Sequence, residues 1–240
     1  MSPDPRRGSR TVRAARRRSI LTLLLLVALL TVGLAACSKF DPTGPCDNDG
    51  TAPGAFPELE AMVPKLFRGA APNQLDSGRT CSTDGLASLK GHGIDELHYA
   101  GATWQTGTDS GLSLATFTSP GPTALRPEWV AEFYENGARN GKHVNTFDAG
   151  SYQVADGITG RKIDVLNDES YQSVVVWERQ GRIEVALVAS FIREIQTKAA
   201  HEAVVREAVN AWLAADGVPA PSNVPAPAGA SPSLDATPAG

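Results

Sequence analysis

Hydrophobic positions along this 240-residue chain follow two periods, with stretches between them that follow neither. Helical spacing of Leu59, Met62, Val63 and Leu66 predicts a helix over residues 57–67, which Pro64 is expected to bend or shorten. Pro127 opens a second helix, in which Trp129, Val130, Phe133, Tyr134 and Ala138 recur at three-to-four spacing. Glu128, Glu132 and Glu135 mark its wet face and Gly141 supplies a stop. A third helix over residues 198–215 carries Val205, Ala208, Val209, Trp212 and Leu213 on one stripe.

The other period is extended. Residues 97–104 and 112–117 predict two strands separated by a Gly/Thr/Asp/Ser turn, and residues 161–166, 172–178 and 182–189 predict three more. Gln180-Gly181 turns the last two into a hairpin. The run at 174–177 is apolar at every position, which places that strand centrally with both faces covered. The order α-β-β-α-β-β-β-α predicts an α+β fold, a mainly antiparallel sheet of about five strands flanked by helices.

Segments without a period set the domain plan. Residues 37–55 are turn-forming and are expected to be a flexible tether, and residues 218–240, rich in Pro, Ala, Ser and Gly, a disordered tail. Residues 56–217 between them are long enough for one domain with its own core.

At the N-terminus, seven arginines precede an apolar run over residues 20–34 that is too short for a settled transmembrane span. The run ends in Leu34-Ala35-Ala36-Cys37, which resembles the bacterial lipobox. That resemblance implies a signal peptide over residues 1–36, cleaved before Cys37, and a diacylglyceryl group on the Cys37 thiol. Two acyl chains anchor durably where one does not. The stretch Arg17-Arg18-Ser19-Ile20-Leu21 is similar to a twin-arginine signal, but Arg16 stands where that pattern has Ser or Thr, so both export routes stay open.

Cleavage changes the charge. The chain holds 22 Lys+Arg against 26 Asp+Glu, and seven of those arginines but only one acid fall within residues 1–36. The rest therefore holds 15 against 25, for a net −10. A body of that sign repels phosphate backbones and anionic head groups, which argues against nucleic acid as a partner and leaves the lipid anchor as the membrane attachment. With Cys37 assigned to lipid, Cys46 and Cys81 form an even pair in an oxidising compartment and are expected to be disulfide-linked. The alternative metal site lacks His or carboxylate partners at finger-like spacing.

Candidate chemistry is sparse. Signatures of common hydrolases, zinc sites, phosphate loops and dithiol redox centres are absent from the sequence. Asp47-Asn48-Asp49-Gly50 with Glu58 has the spacing of a calcium loop, but Ala52 stands where the loop needs its glycine. His92, His98, His143 and His201 are dispersed and read as satisfied edge or surface histidines, as do Asp109, Asp148, Asp156, Asp164 and Asp168 as ordinary acidic loop residues. Trp104, Trp129, Trp177 and Trp212 read as core residues, and Tyr152 and Tyr171 lie on less regular segments where they are available to a pocket or partner. No catalytic, cofactor or metal residue is assigned.

The stretches Trp129-Val130-Ala131-Glu132-Phe133-Tyr134, Arg161-Lys162-Ile163-Asp164-Val165-Leu166 and Tyr171-Gln172-Ser173-Val174-Val175-Val176-Trp177, joined to the lipobox, resemble uncharacterised lipoproteins of high-GC Gram-positive bacteria. By element order alone the body is similar to PsbP-like domains and to extracytoplasmic sensor domains of mycobacterial-type Ser/Thr kinases, and fold does not imply function. Two classes of function remain. One is a lipid-anchored, non-catalytic binding or interaction module holding an envelope protein or a small ligand. The other is an envelope hydrolase with dispersed active residues, with a lipid or small-molecule carrier as a variant if an apolar cavity separates sheet and helices.

Overall fold

Four consecutive apolar residues, 174–177, sit at the centre of a sheet with both faces covered. In the computed structural model, which describes residues 40–218, their strand β7 (Ser170–Arg179) lies between β6 (Ile158–Asn167) and β8 (Arg182–Phe191). Val175 and Trp177 join one core, Val174 and Val176 the other. Gln180 (φ 52°) and Gly181 (φ 75°) both take the left-handed conformation that a two-residue hairpin turn requires.

The sheet has eight strands, where the sequence reading predicts about five. β1 (Gly50–Ala52), β2 (Gln74–Thr80), β3 (Leu97–Gln105), β4 (Gly111–Thr118) and β5 (Val144–Ala155) complete it in the order β1-β2-β3-β4-β8-β7-β6-β5, and every neighbouring pair is antiparallel. The three additional strands carry no apolar alternation. β2 buries Asp76, Ser77 and Arg79 in place of apolar side chains, β1 is three residues long, and β5 is a mostly exposed edge with two register shifts.

Helices cover both faces. α1 (Pro57–Met62) ends five residues before the predicted helix does, because Val63 precedes Pro64 and adopts an extended ψ of 138°. α2 (Thr83–Leu86) and α3 (Ser88–Gly91) are short turns that bury Leu86 and Leu89 beside α4 (Pro127–Arg139). α5 (Lys198–Ala215) spans the predicted range, capped by Thr197 Oγ1, which accepts from Ala200 N–H at 3.2 Å. Its stripe closes onto Trp177, which meets the edge of Trp212 at 6.3 Å, while Trp212 Nε1 donates to Val185 O at 3.1 Å.

The described part of the expected tether, residues 40–55, is bound to the sheet edge. Cys46 and Cys81 form a disulfide. Nearby, the buried Arg79 guanidinium donates to the carbonyls of Asp41, Gly44 and Pro45 at 2.7–3.0 Å, and Asp49 Oδ1 accepts from the Cys81 and Ser82 amides. A guanidinium, not apolar burial, orders this segment, which hydrophobic periodicity does not register. The signal peptide, Cys37 and all but Val218 of the tail fall outside the described residues. Among the described residues no helix is long and apolar enough to cross a membrane.

Candidate functional site

His201 is the one of the four histidines that enters the interior. It is 2% exposed on the first turn of α5, between two serines of the sheet: Nε2 lies 2.8 Å from Ser173 Oγ, and Nδ1 lies 2.8 Å from Ser190 Oγ. Ser173 also bonds Asp164, its register partner on β6. The ionised Asp164 carboxylate can only accept, so the Ser173 hydroxyl proton goes to it. Ser173 oxygen then accepts from His201 Nε2–H, and the bare Nδ1 accepts from Ser190 O–H. The chain of donors runs Ser190, His201, Ser173, Asp164.

The network continues to the surface. Lys162 Nζ donates to Asp164 Oδ2 at 2.9 Å and to both Glu202 oxygens at 2.6–2.7 Å. Tyr152 packs beside Lys162 at 5.9 Å from its ring centroid, and Tyr171 stacks on His201 at 5.7 Å. The structure thus brings together His201, Asp164, Tyr152 and Tyr171 from the sequence candidates. Burial first, and then the Lys162 charge, push the His201 pKa down to about 4, so the imidazole is neutral at physiological pH. Ser173 and Ser190 are each 1% exposed, so this hydroxyl–imidazole arrangement is sealed from substrate.

The remaining candidates are scattered. His92 stacks on Trp129 at 4.7 Å and meets Glu132, His98 stacks on Phe56 at 4.2 Å and meets Glu96, and His143 pairs with Asp168 at the surface. Asp109 pairs with Arg193, Asp148 faces Asp164 across β5 and β6, and Asp156 lies exposed at the turn between those strands. Asp49 is occupied by the β2–α2 corner. Among the described residues no group of three or more His, Cys, Asp or Glu is placed to hold a metal.

A second buried polar group lies under the other end of α5. Glu184, opposite Trp177 on β8, is fully buried. Arg182 Nη2 comes within 2.8 Å of its Oε1, outside hydrogen-bonding directions, and also reaches Asp216 at 2.9 Å. Burial, with the neighbouring Asp216 charge, raises the Glu184 pKa to about 7. Sequence periodicity contains a signal for it: Glu184 shares its face with Ala186 and Val188 at period two.

An open cleft of about 450 Å³ lies beside the first turns of α5. Ala200 and Val204 form its floor, the β3–β4 turn (106–110) and Ile195 its walls, and Arg68 its rim. Arg68 occupies a tight turn at φ 51° and bonds Glu207 at 2.5 Å. Glu194 lines the opposite side; its Oε1 accepts from Asp109 N–H at 2.9 Å, while Oε2 is buried with no partner among the described residues. A Cβ at residue 107 would collide with that carboxylate, which accounts for Gly107. These residues come from four separated segments, which no spacing rule connects. The chain matches no protein-family model, no curated protein and no solved structure.

Proposed function

We propose that this protein is a lipoprotein of the extracytoplasmic membrane face, anchored through Cys37, whose body is a non-catalytic binding module of the kind the lipobox and body resemblances suggest. The observation that carries this reading is the separation of chemistry from access. The serine–histidine contacts of His201 are buried, whereas the accessible cleft contains opposite charges and hydroxyls but no histidine. The Cys46–Cys81 disulfide supports an oxidising compartment. Against a carrier of lipid, the space between sheet and α5 is filled by Trp177, Trp212, Val205 and Leu213, each at most 1% exposed.

Native protein recovered from membranes and denatured releases its bound compounds for identification by mass spectrometry. Returned to fresh protein, the compound is expected to bind and be recovered unchanged. Conversion to product would replace the binding reading with the hydrolase.

A further inference from the structure

The cleft beside α5 presents two charges that differ in what they still lack. Glu194 Oε1 is committed to the Asp109 amide, but Oε2 is shielded from water without a donor. A carboxylate has no proton to give, so only a donor can satisfy that oxygen, and a cationic donor does so most strongly. At the rim, Arg68 uses Nε on Glu207 and rests against the Phe67 ring at 5.3 Å; its two terminal nitrogens have no bond among the described residues. A guanidinium fork held in this way matches a carboxylate. Between the two charges lie Ile195, Ala200 and Val204. The volume, about 450 Å³, is at the small end of ligand sites and suits one residue or two, not a polymer.

We infer that the cleft binds a small zwitterion of the α-amino-acid type, with its ammonium on Glu194, its carboxylate on Arg68 and an aliphatic side chain on Ile195, Ala200 and Val204. This rests on the binding-module reading. A neutral polyol satisfies Glu194 but leaves the guanidinium without an anion, and a simple carboxylate or amine satisfies one charge only. Free amino acid and short peptide share the required groups, and the two are separated by comparing valine with the dipeptide Val-Val.

The test is hydrogen–deuterium exchange on the full chain in detergent micelles, read at residues 106–110 and 192–196, with L-valine, Val-Val, valinamide, isovalerate and sorbitol as probes. Valine or Val-Val is expected to protect both segments, with valinamide and isovalerate weaker by about tenfold, and Glu194→Gln and Arg68→Gln each weakening valine by a similar factor. Arg68 is exposed, so its variant reports even where Glu194→Gln perturbs folding. Equal protection by valinamide and valine, protection by sorbitol alone, or none by any probe would overturn the ligand class. Cleavage of Val-Val would count for that class and against the non-catalytic reading, so the two fail separately.

Discussion

Glu184 and His201 lie on the same face of the sheet under opposite ends of α5, and they titrate in opposite senses. His201 is pushed down to about 4 and Glu184 up to about 7, in both cases because burial disfavours the charged form.

For His201 the unfolded chain binds the proton first. Its contribution is complete above about pH 6.5 and is lost as pH falls through 4, amounting to roughly 3 kcal/mol. In Glu184→Gln this acid sensitivity is unmasked, and urea unfolding between pH 7 and 4 should show stability falling with pH. Equal pH slopes in this variant and in Glu184→Gln/His201→Gln would contradict the assignment.

For Glu184 the folded state binds the proton first. Stability from this group is complete below about pH 4.5 and is lost as pH rises through 7. Single His201→Gln protein should therefore gain stability on acidification from pH 7 to 4.5. Glu184→Gln should exceed the wild type by about 1 kcal/mol at pH 8, where the buried charge is otherwise retained. Between pH 4.5 and 6.5 the two effects offset each other in the wild type, which should show a shallow profile.

Arg79→Met should destabilise the body by about 3 kcal/mol, because three backbone carbonyls of residues 41–45 lose their donor in a buried position. Limited proteolysis should then cut within residues 40–49 before the sheet opens. Unchanged protection of that segment would show that the disulfide alone holds it.

Reduction, or Cys81→Ser, should lower unfolding free energy by about 2 to 5 kcal/mol, since the bridge joins residues 35 apart in sequence. Peptide mapping without reductant checks the linkage in envelope protein. Free thiols at both Cys46 and Cys81 would contradict it.

The legible parts of this fold are those where periodicity and turn chemistry agree. The 174–177 run, the Gln180-Gly181 turn and the stripe of α5 all reach the positions their patterns imply. β2 is illegible because its inward positions are filled by Asp76, Ser77 and Arg79, whose burial is sustained by partners distant in sequence. The site shows the same division. His201 is visible on its helix stripe, but Ser190 and Ser173 lie 11 and 28 residues away on two strands, and only the sheet register brings them to one ring. Arg68 and Glu194 meet across a cleft made by tertiary packing, so neither carries a local signature.

Lipid attachment at Cys37 is the claim from which location and anchoring follow. Mass spectrometry of the N-terminal peptide from protein extracted from membranes tests it directly. The account predicts a mature chain that begins at Cys37 and carries a diacylglyceryl group, and a Cys37→Ser protein that leaves the detergent phase with its body folded. A mature N-terminus elsewhere, or an unmodified Cys37 in membrane-retained protein, would contradict it.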